Sequence, residues 1–409
     1  MEVMRARTAL PVPEEFASAP TAGDLERWRA ADHAARPNRL AALRARAAEE
    51  RLDALLLTSH ADARYFSGME FGPNEEPVAG SSGWLLVSGD DLAVLVDSRY
   101  TVQARREAPL ATALDYGSDA GETIGRWLVA HGVRRCGLDP QAVRHAVWER
   151  IAATAAGVEL VPVKGFGGAQ RARKEPAEIE RITAACAVAD RALARLLPQI
   201  RPGVTEAALA WFLERGMRED GAEALAFDVA ALAGGNAALP HGSPSARELV
   251  RGEVILFDFG AQVAGYRSDM TRTLFVGAAS DADLALYEQV HRGQAATFDL
   301  LRRSITGPSA TMPSGRSCDE ETRRVMGSGA GIYDHGLGHG IGLQTHEAPS
   351  LSRAASTDPL PSPTVFSVEP GIYLEDQIGI RIEDLVAVDA TKGTLELLTR
   401  FPSDPIIVG

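Results

Sequence analysis

Residues 255–273 read ILFDFGAQVAGYRSDMTRT. An apolar run leads to Asp258, Gly265 signals a turn, and a second run resumes beyond Asp269. Two antiparallel strands joined in this way return the second carboxylate beside the first. Capping a turn, or pairing with Arg267 or Arg272, would be the ordinary use of these aspartates. Apolar flanks on both sides argue for something else, because little water remains to solvate either one.

Three later segments share that character. Residues 334–347 read DHGLGHGIGLQTHE, 365–373 read VFSVEPGIY and 379–388 read GIRIEDLVAV. They place His339, Glu369 and Glu383 among glycine and apolar residues. Burying four carboxylates and an imidazole together is costly unless a cation compensates them. Four oxygen donors and one nitrogen donor suit two divalent ions better than one structural zinc. Metal-assisted hydrolysis is the chemistry that follows.

His335, His339 and His346 fall within twelve residues, among glycines that make a poor helix but allow close backbone approach. The spacing of His335 and His339 resembles the helical HExxH motif, yet the glutamate is absent, which disfavours a mononuclear zinc site of that kind. Glu369 precedes Pro370-Gly371 and so stands at the tip of a strand. Arg381 and Glu383 lie two apart in a segment that reads as one strand, which puts both on one face. An arginine there could orient a metal-bound carboxylate. The bland alternative is an exposed Arg–Glu pair.

Elsewhere the chain bounds the answer. Its 409 residues predict two domains, with an ordinary globular composition of 45% apolar and 24% charged residues. A net charge of −13 disfavours nucleic-acid or anionic-membrane partners. Three cysteines without CxxC spacing fit a reducing compartment. No signal-peptide pattern or run of about 18 apolar residues is evident, so the cytoplasm is the expected location.

Residues 1–37 read as an extension, with a short helix around 24–35. A helix is expected from Arg39, followed by a strand at DALLLTS. SSGWLLVS and DLAVLVDS form a strand pair about residues 89–91, and further alternation of helix and strand gives an α/β domain over 38–166. Glycine, charge and proline in 167–176 mark a linker. Pro176 opens a long helix, Thr205 caps the next, and strands follow at FDVAALA and EVILFDFG. A hairpin is expected at 262–275, with a second helix pair at about 281–303 and 318–326. The repeated order of helix pair and strands is a faint internal echo, as of two α/β halves around a central site.

With these residues in view, the chain resembles the pita-bread metallopeptidases, a family that includes methionine aminopeptidase, aminopeptidase P, prolidase and creatinase. The likeness covers about 39–408. It implies a creatinase-type amino-terminal α/β domain followed by a pita-bread catalytic domain at 177–409 with pseudo-twofold halves. By that resemblance Asp258, Asp269, His339, Glu369 and Glu383 hold two metals, with Asp269 and Glu383 shared between them. His241 in ALPHGSP and His346 match substrate-side histidines, while His335, Arg381 and Thr271 match positions around the ligands. ADARYFSG (61–68) and VDSRYTVQARRE (96–107) resemble the amino-terminal domain of the proline-specific members. Two features depart from the pattern: the 37-residue leader and GPSATMPSG at 307–315.

The resemblance implies an Xaa-Pro aminopeptidase or Xaa-Pro dipeptidase acting on peptides with proline after the first residue. A hydroxide shared by the two metals would attack, and Glu369 would serve as general base and acid. His241 and His346 would stabilise the oxyanion. Manganese is the commonest choice in proline-specific relatives, with Co2+, Fe2+ and Zn2+ also suited to these ligands. A homodimer is implied as well. Two other readings keep the fold: a hydrolase or lyase acting on a small non-peptide metabolite, and a non-catalytic binding module.

Overall fold

The computed structural model describes residues 6–7, 9–72, 75–307, 310–329 and 331–409, with the backbone alone at 76 and 77. Two compact units emerge: Glu26–Gln170, and the described residues up to Leu25 together with Arg171–Gly409.

Helix α1 (Ala22–Glu49) is one continuous element through Pro37, where the sequence suggests an extension with a short helix and then a second helix. Its buried positions Trp28, Asp32, Arg39, Leu43 and Ala47 recur at helical spacing. Arg39 pairs with Asp32 at 2.9 Å and donates to the Tyr65 carbonyl, so tertiary contacts on either side of Pro37 offset the lost hydrogen bond. Residues 22–37 are therefore part of a structural helix rather than an appendage.

The following elements are β1 (Ala54–Leu57), α2 (His60–Asp62), α3 (Glu76–Ala79), β2 (Leu85–Ser88), β3 (Leu92–Val96) and α4 (Thr101–Glu107). Then come β4 (Thr112–Asp115), α5 (Ala120–Ala130), β5 (Arg135–Leu138), α6 (His145–Thr154) and β6 (Glu159–Pro162). They form a six-stranded sheet in the order β4-β3-β2-β1-β5-β6. Strand β1 pairs antiparallel with β2 and parallel with β5. The central strands are buried on both faces, which explains their continuous apolar runs. Leu56, Leu86, Leu95, Ile124, Leu128 and Ile151 share one core. The expected linker at 167–176 is not free chain: α7 (Phe166–Arg171) occupies its first part.

In the second unit α8 (Pro176–Leu196) starts at a proline behind a Glu175–Glu178 capping box, and α9 (Glu206–Glu219) is capped by Thr205. Strands β7 (Ala224–Leu225), β8 (Ala230–Ala233), β9 (Val254–Phe259), β10 (Ala261–Val263), β11 (Tyr266–Arg267) and β12 (Met270–Val276) follow. The second helix pair is α10 (Asp281–Ile305) and α11 (Gly315–Met326). Beyond it lie β13 (Gly338–Gly340), β14 (Glu347–Leu351), β15 (Thr364–Val368), β16 (Gly371–Leu374), β17 (Ile378–Arg381), β18 (Asp384–Asp389), β19 (Thr394–Leu397) and β20 (Ile407–Val408). Two principal sheets result, β20-β12-β9-β8 and β14-β13-β15-β18-β19. Each follows a helix pair, and Leu256, Phe275, Leu301, Phe366, Ile382 and Val386 belong to one apolar core.

Part of the leader belongs to this unit. Arg7 bridges to Ile406, Phe16 stacks on Phe401 with centroids 6.1 Å apart, and Arg191 donates to the Ala17 carbonyl. Residues 1–5 and 8 of the leader, and Pro308 and Ser309 of the 307–315 segment, lie outside the described residues. Ser314, at the far end of that segment, caps α11.

Candidate metal centre

Strands β9 and β12 pair with Thr271 opposite Asp258, and Asp269 stands just before β12. The turn between them is tight. Ala264 (φ 46°) and Gly265 (φ 81°) both take positive φ, as a type I′ hairpin turn requires. Asp258 and Asp269 are thereby brought to one end of the sheet.

The opposing sheet supplies the rest. His339 lies in β13, whose glycines let strands pack closely: a Cβ on Gly338 would lie 1.9 Å from the Ser367 carbonyl oxygen. Glu369 follows β15 directly. The reading of GIRIEDLVAV as one strand is corrected, because β17 ends at Arg381 and β18 begins at Asp384 in a different sheet. Glu383 sits at the crossing, its N–H donating to the Thr271 carbonyl. Arg381 and Glu383 still face one cavity, because the crossing passes along its wall. On α10, Gln294 Nε2 donates to the carbonyls of Val368 (3.1 Å) and Ile382 (3.2 Å), the residues preceding Glu369 and Glu383. One helix side chain therefore sets both strand ends.

A cavity of about 660 Å3 is lined by Asp258, Asp269, His339, Glu369 and Glu383, and by His241, His335, His346 and Arg381. Ligand atoms of Asp269, His339 and Glu383 lie within 4.8 Å of one another. His339 Nε2 approaches Glu369 Oε1 at 3.4 Å and Asp269 Oδ2 at 3.6 Å. Its Nδ1 faces the Gly340 carbonyl at 3.1 Å, the contact that leaves Nε2 as the lone-pair nitrogen. Thr271, included from the resemblance alone, accepts from Arg381 Nε (2.8 Å) and donates to Glu383 Oε2 (2.8 Å). Arg381 also reaches Asp258 Oδ2 at 2.5 Å.

The donor set fits divalent cations. Glu383 Oε1 is buried and has no hydrogen-bond partner among the described residues. Burial, reinforced by Glu383, Asp258 and Glu369, pushes the Asp269 carboxyl well above the usual carboxylate range. Burial and then Glu369 and Asp258 do the same to Glu383, and burial raises Glu369. His339 is shifted down by burial, towards the neutral form that binds metal. Carboxylates this crowded are intolerable as bare anions, and bound cations reverse that preference.

Several participants lie outside the residues singled out from the sequence. Tyr373 bridges His335 Nε2 (3.0 Å) and Arg381 Nη1 (3.1 Å) through its hydroxyl. Ser367 Oγ donates to Glu369 Oε1 (3.0 Å) and accepts from the His339 N–H (3.1 Å). Strand alternation could have flagged Ser367, two residues before Glu369; nothing local flags Gln294. His241 is exposed at the cavity, and the His346 ring stands 4.2 Å from that of His339.

Known proteins place this geometry in a class. Residues 180–390 match Metallopeptidase family M24, and residues 39–173 match the Creatinase/Prolidase N-terminal domain. The chain belongs to metallopeptidase family M24, with a creatinase-type domain ahead of a pita-bread catalytic domain. Among individual relatives, Uncharacterized peptidase YqhT of Bacillus subtilis (strain 168) is 33% identical over 359 residues, which cover 87% of this chain and 96% of that protein. The X-Pro aminopeptidase from Thermotoga maritima MSB8 superposes with a TM-score of 0.74 at 32% identity, covering 87% and 98% of the two chains. The Xaa-Pro dipeptidase from Bacillus anthracis gives 0.80 at 29%, covering 91% and 99%. Among the described residues no helix is long and apolar enough to cross a membrane.

Proposed function

We propose that this metallopeptidase hydrolyses the bond before proline in peptides whose second residue is proline. The observation that carries the metal chemistry is the orphaned Glu383 Oε1 among converging buried carboxylates. The proline preference is supported by relatives named X-Pro aminopeptidase and Xaa-Pro dipeptidase that match over both domains. Residues 38–166 and 177–409 are the proposed functional division, joined through 167–176.

Asp258, Asp269, His339, Glu369 and Glu383 would hold two divalent ions, with Mn2+ the first choice. Bound there, the ions would supply Lewis acidity, acidifying a water and polarising the scissile carbonyl. Glu369 takes the proton of the attacking water and passes it to the proline nitrogen as the C–N bond breaks. His241 and His346 donate to the oxyanion, a contribution of about 3–4 kcal/mol per donor in comparable sites. Arg381, fixed by Tyr373 and Thr271, holds Asp258 in place. Proline's ring nitrogen carries no N–H in the peptide, so its recognition rests on shape and apolar contact. A cytoplasmic homodimer completes the reading.

The deciding measurement is turnover of Xaa-Pro, Xaa-Pro-Xaa and Xaa-Ala-Xaa peptides with Mn2+, Co2+ or Zn2+ added. Cleavage confined to the first two defines the activity, and their ratio separates dipeptidase from aminopeptidase. Equal cleavage of the alanine peptide, or none of the three, would overturn the reading.

A further inference from the structure

We propose that Glu347, held by Arg171 and Lys174, is a positioning residue that sets the place of the His346 imidazole. Glu347 acts through His346, so its role rests on the function proposed above for that histidine. Among the described residues no hydrogen bond fixes the His346 ring, and its place depends on the backbone that carries it.

That backbone is gripped from one side. Glu347 Oε1 lies 2.7 Å from Lys174 Nζ and Oε2 lies 3.1 Å from Arg171 Nε, with the three side chains 2%, 0% and 3% exposed. Arg171 Nη2 also donates to Gln344 Oε1 at 2.6 Å. One short segment therefore holds the residue two before His346 and the residue just after it. Lys174 is fixed in turn: its N–H donates to the Pro363 carbonyl and its Nζ to the Arg171 carbonyl. The loop closes tightly over the clamp. A Cβ on Gly342 would lie 2.5 Å from Glu347 Oε1 and 3.2 Å from Lys174 Nζ. Arg267 holds the opposite side, its N–H donating to the Gly342 carbonyl (2.9 Å) and its Nη1 to Thr345 Oγ1 (3.0 Å).

The two variants differ in what they leave behind: Lys174→Met keeps the Arg171–Glu347 contact, whereas Glu347→Gln removes the carboxylate that faces both buried cations. Lys174→Met is therefore the milder variant and remains informative if Glu347→Gln does not fold.

The test is a double-mutant cycle on the full-length protein loaded with Mn2+, using an Xaa-Pro-Xaa peptide. Lys174→Met and Glu347→Gln are expected to lower kcat about 10- to 100-fold, as a misplaced group does, with KM within about threefold. Bound Mn2+ should be unchanged, and Lys174→Arg should restore most of the turnover. In a His346→Ala background Lys174→Met should cost less than a further twofold. Independently of activity, in protein loaded with diamagnetic Zn2+ in place of Mn2+, the imidazole 15N signal lost in His346→Ala should shift in Lys174→Met. Unchanged kcat, fully additive losses, or an unmoved imidazole signal would each overturn the role of Glu347. Normal turnover of His346→Ala would remove His346 and its clamp together, while leaving the proline-peptide activity standing.

Discussion

Glu383 has one oxygen bonded to Thr271 and one buried without a hydrogen-bond partner among the described residues, and Glu369 touches both Ser367 and the neighbourhood of His339 Nε2. Of the two described carboxylates that approach His339 Nε2, Glu369 is the more exposed, 16% against 6% for Asp269, so a substrate water can reach it from the cavity. Glu369→Gln keeps the side-chain volume and removes the base. Its kcat should fall about 10²–10⁴-fold; near-normal turnover with metal bound would show that another group moves the proton. Asp97, in the Glu26–Gln170 unit, gives a separate residue-scale prediction. Hydrogen bonds from Arg99, with Ser82 assisting, hold its carboxyl down to about 2. Unfolded, an aspartate titrates at about 3.9. The folded value is depressed, so the contribution to stability is present above about pH 4 and is lost as pH falls towards 2. Asp97→Asn should therefore lower the melting temperature at pH 6 more than at pH 2.5. An equal effect at both would contradict the linkage.

At the scale of elements, the site depends on strands that approach closely and on one helix that spans their ends. Strand β13 is usable because Gly338 and Gly340 leave room for neighbouring carbonyls at 1.9 and 2.1 Å from where a Cβ would stand. Gly338→Ala should force the His339 strand away from Ser367 and cost at least about 1–3 kcal/mol, read as a denaturant midpoint. Gly89, with open space around it, is the control, and Gly89→Ala should be close to neutral. Comparable losses at both positions would mean that close strand approach is not what Gly338 provides. Helix α10 acts differently, since Gln294 joins the carbonyls before Glu369 and Glu383. A leucine there would remove both of those hydrogen bonds inside the core.

For the whole molecule, the site's carboxylates belong only to the Arg171–Gly409 unit. A cation that binds the folded site alone stabilises by about 2.7 kcal/mol at a free concentration 100 times its Kd. Chelation should therefore lower the melting temperature. Hydrogen exchange should quicken in β9, β12, β15 and β18, while β1–β6 keep their protection. Equal quickening in both units would place the cation elsewhere.

Much of this was readable along the chain because each candidate ligand breaks a local rule. Asp258, Glu369 and Glu383 are charges in apolar runs, and His339 is an imidazole among glycines, so their cost in isolation signals a shared compensating cation. Alternation and turn chemistry likewise predict the β9–β12 return, and Pro176 and Thr205 mark the starts of α8 and α9. Tertiary structure decided what local pattern cannot contain. The sequence suggests a short helix at 24–35 and a second from Arg39, but contacts of Asp32, Arg39 and Tyr65 carry α1 through Pro37. Residues 379–388 read as one strand, yet the chain changes sheets at Glu383 because Ile382 is buried and Glu383 bonds to Thr271. Gln294, Tyr373, Arg171 and Lys174 look like ordinary residues in sequence. Their importance comes from partners up to 176 positions away, and only the packed fold supplies the desolvation that makes those hydrogen bonds and ion pairs matter.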